Sequence, residues 1–213
     1  MDLMAKAMTI TYEVGDGLYV NVTNRCTNRC DFCIRNNGDG AYGSDSLWLE
    51  REPTVDEVLS DVFSRDLCKY SELVFCGYGE PTVRLNDIRE IALGIKKQYP
   101  FVKIRVNTNG HSDLIFGTDT APLYKDAFDV VSISLNTPDA DKYVEICHPV
   151  YHKAAFDALL TFARNVNKYV QITLLSVVKQ TLSEDELSKC YEIARELGVT
   201  LKVRDYISKD DNT

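Results

Sequence analysis

"LYVNVTNRCTNRCDFC", residues 18–33, runs an alternating segment directly into three cysteines. Leu18 to Thr23 read as a β-strand, because β-branched and aromatic residues alternate with polar ones. Cys26, Cys30 and Cys33 follow with the spacing C-x3-C-x2-C, and the chain continues into a loop rich in Gly and Asn. A loop this short can fold three thiolates around one centre. Thiolates favour zinc or iron–sulfur clusters. A closed zinc site needs four ligands, yet the next cysteine is Cys68 and the three histidines stand at 111, 148 and 152. A cluster on three thiolates keeps one iron open to an outside ligand, which separates a catalyst from an electron carrier.

Outward from the loop, short apolar runs alternate with longer amphipathic ones. "TITYEV" (9–14) precedes Gly15-Asp16-Gly17 and predicts a hairpin onto the first strand. Strands are expected at 72–77, 102–108, 129–135, 169–178 and 200–207, with helices at 54–67, 86–99, 153–166 and 183–197. Thr54 with Glu57, and Ser183 with Glu186, form capping-box signatures, and Gly198 stops the last helix. The segment up to about residue 127 holds a short helix at best. Six strands with intervening helices imply parallel β-α-β units in an α/β fold, either an open doubly wound sheet or a barrel-like one. Either way ligands bind at the carboxyl ends of the strands. "TNRC", "CGYGEP", "NTNG", "SLNTP" and "SVVKQ" are thereby expected on one rim.

The 213 residues, 45% hydrophobic and 26% charged, suit one soluble domain over 1–213, with a hairpin region at 1–17 and a flexible tail at 208–213. The net charge of −8 argues against a general nucleic-acid binder. "MDLMAKAMTI" has no secretory pattern and no stretch is apolar enough to span a membrane, so the expected location is cytoplasmic, with no membrane partner. In a reducing compartment a tight cysteine group binds metal or does chemistry.

The cysteine loop, with Phe32 before the third cysteine, resembles the radical S-adenosylmethionine (SAM) superfamily. "CGYGEPT" (76–82) is similar to that family's glycine-rich motif, with Tyr78 where a further glycine is common. The resemblance implies a partial (β/α)6 TIM-like barrel as a single radical SAM core. It implies a [4Fe–4S] cluster on Cys26, Cys30 and Cys33, with SAM filling the open place. An electron from the cluster would cleave SAM to methionine and a 5′-deoxyadenosyl radical that abstracts hydrogen from a substrate. Gly77, Tyr78, Gly79 and Glu80 would meet the SAM amino group. Ser134, Asn109 and Asn136 would meet its ribose and carboxylate, and Phe32 and Val177 its adenine. "SLWLEREPT" (46–54) and "CGYGEPTVRL" (76–85) look most like short members associated with TatD-family nucleases.

The substrate, a small molecule or a partner protein, is not identified by these motifs. The resemblance implies an electron donor such as flavodoxin or ferredoxin. Two other readings stand beside it: activation of a glycyl-radical enzyme, and a non-catalytic Fe–S or zinc module. Cys76 is expected to border the pocket or be buried. Cys147-His148 is expected in a packed loop near the rim, and Cys68 and Cys190 in the core. Arg35, Arg84 and Arg204 are candidates for pairing with anionic groups.

Overall fold

The structure, a computed structural model, describes residues 6–206. Strands β1 (Thr11–Val14) and β2 (Gly17–Val20) form the antiparallel hairpin that the Gly15-Asp16-Gly17 turn predicts. Five further strands follow: β3 (Glu72–Phe75), β4 (Ile104–Thr108), β5 (Val130–Ser134), β6 (Ile172–Val178) and β7 (Thr200–Arg204). From β2 to β7 every neighbouring pair is parallel, and the spatial order is the chain order, β1-β2-β3-β4-β5-β6-β7. A doubly wound sheet would reverse its strand order at a switch point. This one never does, so it is a partial TIM-like barrel left open between β1 and β7.

The helices are α1 (Val55–Phe63), α2 (Leu85–Gln98), the short α3 (Ser112–Phe116), α4 (Ala140–Cys147), α5 (Ala154–Val166) and α6 (Glu184–Leu197). Both capping boxes form as the sequence predicts. The Thr54 and Ser183 side chains accept from Glu57 and Glu186 backbone N–H groups, and Gly198 ends α6 in the left-handed region at φ 69°. Helix α4 occupies a stretch to which the sequence assigns no element, and it puts Cys147 at a helix end where a packed loop is expected; Asp139 caps it by accepting from the Lys142 N–H. Helix α1 stops four residues short of the expected 67, and Asp66 opens a separate 3-10 turn by accepting from Cys68 N–H. That turn leaves Cys68 exposed, not in the core, whereas Cys190 is buried as expected.

Alternation along the strands divides the sheet into two unlike faces. Ile104, Val106, Val131, Ile133, Leu175 and Val177 point outward into the apolar layer formed with the helices. Their neighbours Arg105, Asn107, Ser134, Val178, Lys202 and Arg204 line the concave side. A parallel strand covered on both faces reads as a continuous apolar run. Here one face is polar because it encloses a cavity. Among the described residues no helix is long and apolar enough to cross a membrane. The expected tail at 208–213 and residues 1–5 of the hairpin region lie outside the described residues.

Candidate functional site

The cysteine loop leaves β2 at the carboxyl rim and is tied down along its length. Arg29 and Asp31 N–H groups donate to the Cys147 and Ile146 carbonyls at the end of α4, and Val150 N–H donates to the Thr27 carbonyl. Beneath it runs a buried polar chain. Asn109 Nδ2 donates to Thr27 Oγ1 at 2.7 Å, Thr27 Oγ1 meets His111 Nδ1 at 3.1 Å, and His111 Nε2 meets the Tyr143 hydroxyl at 3.1 Å. Asn28 Nδ2 donates to the same hydroxyl at 3.1 Å. Strand β4's end and helix α4 thus hold the loop between them. None of Thr27, His111 and Tyr143 stands out in the sequence, because their pairings reach across 84 and 32 residues.

Burial holds His111 near pKa 4, against an ordinary 6.5. The unfolded chain therefore binds this proton first. The stability tied to neutral His111 is complete above pH 6.5 and is lost as pH falls toward about 4. The expected loss is about 3 kcal/mol. Denaturant titrations of wild type and His111→Gln between those limits check it; the variant should lose most of the slope.

The turn after β3 packs closely against the cysteine loop. A Cβ on Gly77 would lie 2.1 Å from Asn21 Oδ1, and one on Gly79 would lie 2.3 Å from the Thr23 carbonyl oxygen. The glycines let this turn press against the start of the cysteine loop, and Glu80 N–H donates to the Arg25 carbonyl at 2.8 Å. Tyr78, in the place of a further glycine, is buried. Its hydroxyl bridges the Gly38 and Gly40 carbonyls at 2.7 and 2.8 Å, and its ring meets Trp48 edge-on. It anchors the loop that follows Cys33. Glu80 is buried, and its carboxylate accepts from Thr82 N–H, Thr82 Oγ1 and Asn109 N–H. Burial raises its pKa, and these donors oppose the rise.

Loop and turn face one cavity of about 480 Å³, within the usual range for small-molecule sites, about 300–1,000 Å³. Cys26, Cys30, Cys33, Phe32, Gly77, Tyr78, Gly79, Glu80, Asn109, Ser134 and Asn136 all line it. Val177 does not. It packs in the core on the outer face, and Val178, one residue on, takes the cavity position. The two-residue period of a strand decides this. Cys76 borders the cavity; Cys147 is buried at the end of α4 and accepts from Asn136 Nδ2 at 3.3 Å. His148 sits after α4 against Asp31 at 2.7 Å. Of the candidate arginines, Arg35 donates to the Asn24 and Asn28 carbonyls, and Arg84 to the Val22 and Pro53 carbonyls. Both brace the loop. Arg204 lines the cavity.

The donor set fits a cluster and its SAM. Among the described residues no group of three or more His, Cys, Asp or Glu is drawn around one metal-ion position. A cubane does not ask for that, because each thiolate binds a different iron. Cys26 is pushed up to about 12 by burial, with the Glu80 charge adding to the effect. Cys30 is raised by a hydrogen bond with Cys147 and then by burial. These thiols hold their protons at neutral pH until a metal displaces them. Three asparagines on the cavity, Asn28, Asn107 and Asn136, each bury a side-chain carbonyl oxygen that has no partner. Buried acceptors of this kind are costly unless a donor arrives. An ammonium, ribose hydroxyls and an exocyclic amine are such donors.

A family model described as the radical SAM superfamily matches residues 20–196. The chain is 25% identical over 197 residues to molybdenum cofactor biosynthesis protein 1 of Dictyostelium discoideum, covering 92% of this chain and 29% of that protein. It is 24% identical over 188 residues to GTP 3′,8-cyclase of Clostridium perfringens (strain 13 / Type A), covering 88% of this chain and 54% of that one. The chain thus spans about half or less of these relatives. The crystal structure of Streptococcus suis SuiB bound to precursor peptide SuiA matches with TM-score 0.65 at 15% identity, covering 90% of this chain and 39% of that chain. That likeness is one of fold.

Proposed function

The chain belongs to the radical SAM superfamily, and on that premise we propose that Cys26, Cys30 and Cys33 hold a [4Fe–4S] cluster in an enzyme that cleaves SAM to act on a further substrate. When bound, the cluster and SAM supply one-electron cleavage to methionine and a 5′-deoxyadenosyl radical, which takes a hydrogen atom from the substrate. The chain's own residues hold, orient and keep out water. The observation that carries this reading is that the three thiols line the same cavity as Glu80 and the unpartnered Asn28 and Asn136 carbonyls.

An ionised carboxylate has about four acceptor sites. Donors from Thr82 and Asn109 engage Glu80, with Thr108 also acting on it, and it is the carboxylate's charge that would draw the SAM ammonium. Asn109 reaches the site mainly through its backbone, since its amide is engaged with Thr27 and the His111 N–H. Ser134 and Asn136 would meet the ribose and carboxylate, and Phe32 and Val178 would offer the adenine apolar walls. Leu47, Tyr78 and Trp48 pack together and close one side against solvent.

The finer reading, as a short member associated with TatD-family nucleases, rests on the sequence resemblance, whose segments pack against one another. Asn24 of the cysteine loop exchanges two hydrogen bonds with the Leu49 backbone, and Arg84 reaches the Pro53 carbonyl. The electron donor would be a flavodoxin or ferredoxin. Anaerobic reconstitution with iron and sulfide, reduction and addition of SAM test the proposal. The expected result is a reduced-cluster EPR signal that changes when SAM is added, and formation of 5′-deoxyadenosine. A cluster whose signal ignores SAM would make the protein an Fe–S module instead.

A further inference from the structure

The concave face carries three cations that the SAM site does not use. Arg105 lies on β4, and Lys202 and Arg204 lie on β7; all three line the cavity. Although β4 and β7 are separated by two strands, Lys202 is close enough to Arg105 and Arg204 that both lower its pKa, after burial. The curved sheet turns all three toward one cavity. On the strands between, Ser134 lines the same cavity, and it is in register with Ser176 and through it with Lys202. The result is a basin with cationic walls.

These cations are incompletely satisfied. Arg105 is buried; one nitrogen, Nη2, meets Glu72 at 2.7 Å and the Tyr19 hydroxyl at 3.2 Å, while its Nε is buried with no partner. Arg204 Nε is likewise buried with no partner. Neither Lys202 nor Arg204 has an ion pair among the described residues. Among the described residues the carboxylates near these cations are Glu72, held by Arg105, and Asp205, which accepts from Gln180 Nε2, while Glu80 lines the same cavity and is occupied by Thr82 and Asn109. Desolvated donors with no acceptor are costly, and a guanidinium is shaped to grip phosphate or carboxylate. Tyr12, Tyr19 and Tyr42 form the adjoining wall.

We propose that this basin is the subsite for the anionic group, phosphate or carboxylate, of a small-molecule substrate whose remainder lies along the tyrosine wall. As a substrate site it rests on the proposed radical SAM reading, but anion binding is measurable apart from it. The test is calorimetric titration of the SAM-loaded, reconstituted protein with phenyl phosphate and with phthalate, for wild type, Lys202→Gln and Arg204→Gln. At least one anion should bind, and each variant should weaken it about tenfold, with SAM affinity and the cluster spectrum unchanged. Stronger binding of phenyl phosphate or of phthalate identifies the group as phosphate or carboxylate. The proposal falls if neither anion binds wild type or if binding survives both substitutions. It also falls if the variants lose SAM affinity in step with anion affinity, because the basin would then hold the SAM carboxylate. Failure to make 5′-deoxyadenosine would overturn the radical reading while leaving the binding result intact.

Discussion

Alanine at any one of Cys26, Cys30 and Cys33 is expected to lower 5′-deoxyadenosine formation to the level of a no-enzyme control, at least a thousandfold below wild type, about 4 kcal/mol in barrier terms. The three half-buried thiols come from one eight-residue loop and share one cavity. Among the described residues no carboxylate or histidine joins them in a metal-holding group. Cys147 hydrogen-bonds Cys30 and is therefore the further thiol in direct contact with the loop cysteines. Cys147→Ala is therefore the necessary companion variant. It should keep the cluster absorption and at least a tenth of the activity. Iron content, visible absorption and product are read together. A Cys33→Ala protein with full iron and product would remove Cys33 from the ligand set, and a Cys147→Ala protein without iron would add Cys147 to it.

The second large effect is expected at Gly79. A Cβ there would lie 2.3 Å from the Thr23 carbonyl oxygen and 2.6 Å from that of Arg25. Both are backbone atoms at the base of the cysteine loop, and neither can rotate away. Forcing such a contact costs about 3 kcal/mol, or roughly 6–12 °C in the thermal midpoint of a chain this long. Gly79→Ala should also impair cluster loading, because the displaced backbone leads directly into Cys26. Gly77→Ala should cost less: Asn21 Oδ1 and Cγ, the two nearest atoms, can turn away at the loss of the bonds to the Thr9 and Leu47 carbonyls, which leaves the milder contact with the Asn21 Cβ at 2.9 Å. Gly94→Ala in α2 is the control. Its Cβ meets only Leu59 side-chain atoms, the nearest at 3.3 Å, and alanine gains about 1 kcal/mol of helix propensity. Thermal denaturation of the three variants orders them; a Gly79→Ala protein as stable as wild type would refute the close approach.

Local chemistry made much of this molecule legible without coordinates. The three thiols declare themselves by spacing, the capping boxes by the Thr54/Glu57 and Ser183/Glu186 pairs, and the β1–β2 hairpin by its glycine turn. Helix α4 was missed because "DADKYVEICH" is short and its apolar residues are few. Val177 was chosen over Val178 because both are apolar and only the register of β6 says which one faces inward. A signal for the concave face was present all the same. "KIRVNT", "SISLN" and "LKVR" alternate apolar and polar residues on strands that parallel neighbours flank. Such alternation marks a strand with one face open to a cavity, and it favours a part-barrel over a doubly wound sheet.

By itself, then, the sequence singled out three thiols as the candidate metal ligands, placed most strands and helices, and pointed to the family to which the chain belongs. These rest on interactions within a few residues, or on spacing that one loop can satisfy. Only the tertiary structure decided why Gly79 is glycine, what Tyr78 holds, and which donors hold Glu80. It alone brought Arg105 beside Lys202 and Arg204, about a hundred residues away in sequence. Those facts depend on how six parallel strands curve, and curvature is a property of the whole sheet that no single stretch of chain encodes.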